Sequence, residues 1–247
     1  MTSIIPSYHY MWKEGILLFI NIFTRDIKCI MKGVILLSFV MGYVSTKMAA
    51  IASDGRCCYT DGTIKTEFYN KTRKINRNVI LGYSGSTESC EKVLDALQPA
   101  LEQVQMESDR EAYVNEVATC IHRAIPLFNF PKGKNVQFIV SGISDEGTMQ
   151  LYSFGNTNQT NLVPLTATND KIQTAVLCPP REVKGEIGKK IFNKHLINGL
   201  KSQNAFIEDI FKASISEMAD LDQSVNENCF FQIIFPTDQA TNSNPQL

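Results

Sequence analysis

Histidine, tryptophan and long apolar runs are what this sequence has least of. Its 247 residues include three histidines and one tryptophan. His9, His122 and His195 are scattered and no Cys-x-x-Cys pair occurs, so neither a zinc site nor a haem site is expected and no cofactor is implied. Two apolar runs, residues 15–23 and 34–44, fall short of the roughly 18–20 residues that span a bilayer. Arg25, Asp26, Lys28 and Lys32 lie between them and prevent their fusion, so no membrane partner is expected. No run of Lys and Arg stands out, and 24 basic against 25 acidic residues leave a net charge of -1, which argues against nucleic acid as a partner. The seven cysteines, Cys29, Cys57, Cys58, Cys90, Cys120, Cys178 and Cys229, are odd in number and unpatterned. That fits a reducing cytoplasm better than a disulfide framework.

What is present is an ordinary globular composition, 44% hydrophobic and 20% charged, with ample chain for a core. From Ser38 onward the pattern is that of strands. Residues 39–45 and 48–53 form a hairpin about Thr46-Lys47, and Asp61-Gly62 marks a turn between 57–60 and 63–68. Residues 74–75 and 79–83 read as a further pair. A helix follows near Ser86, with Val93, Leu94, Leu97, Leu101 and Val104 at helical spacing and Pro99 as a kink or early break. A second helix opens on Ser108-Asp109-Arg110-Glu111, a capping-box pattern, and carries Tyr113, Val117, Cys120, Ile121 and Ala124 on one stripe. Residues 136–143 and 148–154 form the clearest hairpin, and weaker strands lie at 162–165 and 172–177. Helices over 183–200 (Ile187, Ile191 and Leu200 inward) and 205–218 precede a closing strand at 229–235. Sheet-forming blocks separated by helix pairs predict an α+β, four-layer αββα sandwich: two mostly antiparallel sheets, each covered by a helix pair. No repeat or linker divides it, so residues 38–240 read as one domain and 241–247 as a polar tail.

Residues 1–37 do not resemble the rest of the chain and read as a leader, a propeptide or a 5′ extension. Lys28 and Lys32 before the apolar run at 34–44 suggest a signal peptide, but strand texture continues through 48–53 and no small-x-small cleavage site falls where it should.

Several stretches carry a family resemblance when taken in order. They are SFVMG at 38–42, ASDGR at 52–56, NKTRKIN at 70–76 and VILGYSGSTESCEKVLDAL at 79–97, then VQFIVSGISDEGTMQLYSF at 136–154 and ADLDQSVNENCFFQIIF at 219–235. Together they resemble the β-subunits of proteasome-like peptidases, including the bacterial two-component form, within the N-terminal nucleophile hydrolases. The resemblance implies a cytoplasmic peptidase acting on peptide or amide bonds, assembled as a homo-oligomeric ring and paired with an ATPase. It implies Ser38 as nucleophile, Asp54, Lys71 and Asp222 as catalytic companions, Arg56 as support and the Gly85 N–H as an oxyanion donor. Four departures are visible: Ser38 stands where Thr is common, and Leu37 precedes it where self-processed members have Gly. Cys178-Pro179-Pro180-Arg181 replaces a Gly/Ser-rich motif, and Ser224 or Val225 falls where a supporting Ser is expected.

The chemistry of these residue types agrees. A serine hydroxyl needs a base, and no histidine lies near. A free α-amino group, with a pKa of about 7.7–8.0, accepts and returns a proton near neutrality. Ser38 as first residue would join nucleophile and base in one residue. Lys71 would favour the alkoxide, with Asp54 holding Lys71 and Arg56 bracing both. Each residue also has a plain structural reading: Ser38 a strand residue, Asp54 and Arg56 a turn pair, Lys71 part of a solvated strand face, Gly85 a helix start. A catalytically silent assembly subunit and an amidase on a small substrate therefore stay open beside the peptidase. Residues 32–35 can be encoded by AAAGGAGTGAT, which looks like a bacterial ribosome-binding site, and Leu37 by TTG, an alternative start. Sequencing the DNA tests this: TTG at codon 37 behind that purine stretch is expected, and any other codon there ends the idea.

Overall fold

The computed structural model describes residues 38–236, apart from 60–61, 109, 133, 158–160, 170, 179–181 and 203–204. The expected leader, the polar tail and residues 179–181 of the Cys178–Arg181 departure lie outside the described residues. The strands are β1 (Val40–Val44), β2 (Ala49–Asp54), β3 (Cys57–Cys58), β4 (Ile64–Thr66), β5 (Thr72–Lys74), β6 (Val79–Gly85), β7 (Val136–Ile143), β8 (Met149–Gly155), β9 (Leu165–Thr166), β10 (Gln173–Leu177) and β11 (Cys229–Ile234). Helices α1 (Thr87–Ser108) and α2 (Val114–Ala124) lie between β6 and β7, and α3 (Glu182–Lys201) and α4 (Ile207–Leu221) between β10 and β11.

One sheet runs β10-β1-β2-β11 and a second β5-β6-β7-β8-β9, every pairing antiparallel, with β3-β4 as a separate ribbon. Side chains alternate across each strand and so sort into two layers. Val40, Val44, Ile51, Ile80, Ile139 and Leu151 fill the space between the sheets. Phe39, Met41, Tyr43, Ala50 and Ala52 point the other way, onto Phe192, Leu196, Ile210, Phe211 and Ile215 of α3 and α4. Val79, Leu81, Tyr83, Phe138 and Val140 meet α1 and α2 on the opposite outer face. The result is the expected αββα sandwich. Burial of each large side chain in these layers contributes about 1.5–3 kcal/mol. The sheets approach closely where they lack side chains: a Cβ on Gly42 would lie 2.8 Å from Ile139 Cγ2, and one on Gly82 2.7 Å from Ile51 Cγ2.

Three local expectations change. Helix α1 runs through Pro99 to Ser108; Leu101 and Val104, packed against the same core as Val93 and Leu97, hold the turns beyond the missing N–H. Ser108 therefore ends α1 instead of opening α2. The second helix begins at Val114, where Glu116 accepts the Tyr113 N–H at 2.8 Å and Glu111 instead accepts the Arg77 N–H at 2.8 Å. In α3, Phe192 and Leu196 are buried while Leu200 is 47% exposed. The inward stripe passes through Gly199, where a Cβ would meet Ile210 Cδ1 at 2.3 Å, and Leu200 is turned off it. Among the described residues no helix is long and apolar enough to cross a membrane.

The start of α2 gives a pH test. Burial works against the Glu116 carboxylate, but Arg110, at 2.8 and 2.9 Å, and the Tyr113 N–H hold its carboxyl below the usual range. A depressed folded pKa contributes stability that is present above the ordinary value of about 4.3 and is lost as pH falls through the folded value. Denaturant titrations at a series of pH values should show Glu116→Gln about 1 kcal/mol less stable at neutrality, with a shallower acid decline than the wild type. Parallel acid declines would refute the assignment.

Candidate active site

Residues 38–56 build the first wall of the site. The hairpin register pairs Val40 with Ser53 and continues one step outward, where the Asp54 N–H donates to the Phe39 carbonyl at 3.1 Å. Ser38 therefore lies at the end of β1 beside the end of β2. Asp54, Lys71 and Ser38 are all 0% exposed. The Asp54 carboxylate collects three donors. Lys71 Nζ at 2.7 Å and the Phe39 N–H at 2.9 Å both reach Oδ1, and the Arg56 N–H reaches Oδ2 at 2.9 Å. Burial pushes the Asp54 carboxyl up, and the Lys71 ammonium and the two N–H groups pull against it. Every partner is a donor, so the arrangement serves a carboxylate that only accepts.

Lys71 comes from the other sheet. Its carbonyl accepts the Tyr83 N–H at 3.1 Å, extending the β5–β6 ladder by one residue beyond Thr72. The Lys71–Asp54 pair thus bridges the ends of the two sheets. The Ser38 hydroxyl is buried and has no hydrogen-bond partner among the described residues, as do those of Ser53 and Thr87.

Gly85 ends β6 with φ at +106°, and a Cβ there would lie 2.1 Å from the Asn135 carbonyl oxygen. Only glycine fits that conformation and that contact. Ser86 N–H bonds to the Asn135 carbonyl on the β7 side at 2.7 Å, whereas Tyr83 N–H bonds to Lys71 on the β5 side. Alternation along the strand turns the Gly85 N–H to the same side as that of Tyr83, past the point where Lys71 begins its pairing.

Arg56 reaches the corner differently from the sequence reading. Its backbone N–H, not its guanidinium, touches Asp54, while Nε pairs with Glu67 at 2.9 Å and Nη1 bonds to the Gln223 carbonyl. Asp222 follows α4, 5% exposed, and its Oδ1 accepts the Ser224 N–H at 3.0 Å and the Ser224 hydroxyl at 2.8 Å. Ser224, rather than Val225, is thus the hydroxyl bonded to the late acidic residue. Its loop joins the corner through Asn226, whose Oδ1 accepts the Gly55 N–H at 2.8 Å and whose Nδ2 donates to the Glu67 carbonyl at 2.8 Å. Glu67, Asn226 and Asn228 are absent from the sequence reading. No local signal marks them, since each bond joins residues 159 to 171 positions apart.

Burial pushes the nearby Cys57 and Cys58 thiols up and disfavours their thiolate forms. Among the described residues no three His, Cys, Asp or Glu side chains gather into a metal-binding group.

A family model described as "Proteasome subunit" matches residues 38–167. The match begins at Ser38 and covers β1 through β9 with α1 and α2. No curated protein matches the chain.

The ion pair makes a stability prediction. Lys71→Met leaves the Asp54 carboxylate buried without its counter-charge, and chemical denaturation should record a loss of about 3–5 kcal/mol. A loss below about 1 kcal/mol, the range of surface pairs, would mean that the pair is not buried as described.

Proposed function

Because the chain belongs to the proteasome subunit family, we propose that it is a proteasome-like N-terminal-nucleophile peptidase whose nucleophile is Ser38 once the α-amino group of that residue is free. One observation carries the reading. The fully buried Asp54 carboxylate receives both the Lys71 ammonium and the N–H of Phe39, the residue bonded to Ser38. That contact fixes the backbone next to the nucleophile relative to a positive charge.

In the proposed reaction the Ser38 Oγ attacks the peptide carbonyl while its proton passes to the α-amino nitrogen. The oxygen of the tetrahedral intermediate takes a hydrogen bond from the Gly85 N–H, an interaction worth roughly 3–4 kcal/mol to the barrier. The C–N bond then breaks, the α-amino group returns the proton to the leaving amine, and an ester to Ser38 remains. Water, deprotonated by the same amine, hydrolyses that ester and restores Ser38. Lys71 stabilises the alkoxide electrostatically and Asp54 orients Lys71. Asp222, held by Ser224, acts from the loop that Asn226 ties to Gly55, and Arg56 supports the corner through its backbone N–H and its bond to Glu67. The free amine requires that residues 1–37 be removed or never made. Family membership supports a ring-forming assembly, and the proposal extends to a cytoplasmic enzyme of the bacterial two-component type served by an ATPase.

Intact mass of the natively expressed protein, with and without a hydroxyl-directed electrophile, tests the proposal. The expected species begins at Ser38 and gains one probe adduct there, and Ser38→Ala gains none. A mature chain that retains residues 1–37 and takes no label would make the protein a catalytically silent assembly subunit. Labelling at Ser38 together with turnover of small amides but not peptides would make it an amidase.

A further inference from the structure

Around Gly55, three stretches of chain far apart in sequence meet in one polar cluster. The first is 54–56 at the end of β2. The second is 67–69, just ahead of Lys71, and the third is the loop from Asp222 to Asn228. Asn226, 7% exposed, joins all three. Its Oδ1 accepts the Gly55 N–H at 2.8 Å, and its Nδ2 donates to the Glu67 carbonyl at 2.8 Å and to Glu67 Oε2 at 2.5 Å. Asn228 adds a second donor to the Glu67 carbonyl at 2.8 Å, and the Tyr69 N–H returns a bond to the Gly55 carbonyl at 2.8 Å. Glu67 Oε2 also takes Arg56 Nε at 2.9 Å, while the Arg56 N–H holds Asp54. A side-chain amide suits this place because its oxygen accepts one bond while its nitrogen donates two.

We propose that Asn226, acting through Glu67, is a positioning residue that sets the Lys71 segment and the Asp222 loop against Asp54. The proposal rests on the peptidase reading of Ser38, Asp54 and Lys71. A clamp that only stabilised the fold would change the melting temperature. A positioning residue also changes the rate at which a properly folded site reacts, because small displacements of catalytic groups are costly to rate.

Asn226→Asp separates the two. It keeps the shape and the acceptor, removes both donors and sets a second carboxylate against that of Glu67. The charged groups facing this spot are Arg56 and Glu67 themselves and Asp54 beyond the Arg56 N–H. Glu227 turns away toward Ser216 Oγ at 3.4 Å, and Asp222 is turned to Ser224. Two carboxylates so placed cannot both stay ionised cheaply, so one takes a proton at mildly acid pH and a donor returns. Adding Glu67→Gln to Asn226→Asp removes the carboxylate pair at every pH, and the introduced glutamine amide supplies a donor to the introduced aspartate from one atom and an acceptor to Arg56 Nε from the other.

The measurement is the maximal rate and half-saturation of Ser38 labelling by the electrophilic probe on the full natively expressed protein, compared with the wild type at each pH. At about pH 8, Asn226→Asp should slow the maximal rate about 10-fold or more with half-saturation unchanged. Its ratio to wild type should climb to within about 3-fold near pH 5, and Asn226→Asp/Glu67→Gln should stand within about 3-fold at both pH values. Ile121→Val, in the core on the far side of the second sheet, serves as the control that lowers the melting temperature with wild-type labelling. The inference is overturned if Asn226→Asp tracks wild type at every pH, or if the control slows labelling equally. It is also overturned if the double variant is no faster than the single one at about pH 8. If the wild type itself takes no label at Ser38, the peptidase reading falls and this inference falls with it, an outcome distinct from the other three.

Discussion

A carboxylate and an ammonium with no exposed surface, 2.7 Å apart, are the constraint on which this structure turns. Removing both from water carries a penalty of several kcal/mol per ion, which the attraction offsets only with good geometry and further hydrogen bonds. Here the further bonds come from the backbone at Phe39 and Arg56. The carboxylate belongs to the end of β2 and the ammonium to the residue that leads β5, so the pair ties one sheet to the other. A register slip in either sheet would strip a buried charge of its partner. The pair is therefore as much a condition on the fold as a feature of the site.

The layers around the pair make that condition possible. Gly42 and Gly82 let the sheets close on Ile139 and Ile51, and the helix pairs seal the outer faces. With the layers fixed, the start of β1, the end of β2 and the residue ahead of β5 meet where Ser38, Asp54 and Lys71 lie, and β6 runs past Lys71 to end at Gly85. Glycine at position 85 follows from the backbone alone, since the chain must pass the Asn135 carbonyl with a positive φ. The Asp54 corner is then braced by Arg56, Glu67 and Asn226, which bond to one another and to the chain at 54–55.

How much of this could be read beforehand depends on the range of each interaction. Alternating apolar residues at 136–143 and 148–154 and the tight link at Thr46-Lys47 mark hairpins because both partners are near neighbours. The order of helix pairs and sheet blocks was enough for the αββα layering. Pro99 misleads because propensity is local, whereas Leu101 and Val104 answer to a core built by other elements. Ser108-x-x-Glu111 has the lettering of a helix cap, but Glu111 is taken by the Arg77 N–H. Arg56 was visible as a residue and not as a contact, because Glu67 and Gln223 decide where its guanidinium goes. Glu67 and Asn226 were invisible altogether. An asparagine becomes conspicuous only when the fold sets it between two backbones.

The placement of β2 between β1 and β11 bears on how the molecule comes to exist. Its neighbours are the first and the last strand among the described residues, with Ala49 opposite both Val44 and Ile234. Contacts between residues so distant in sequence form late and raise the barrier to folding. Synthesis delivers β1 and β2 long before β11, and the loop that holds Gly55 arrives only just ahead of that last strand. Until β11 is made, Ser38 and Asp54 lie in a sheet whose β2 edge is unpaired, and Gly55 lacks its bond to Asn226. The strand that closes the β2 edge and the loop that holds Gly55 are delivered together.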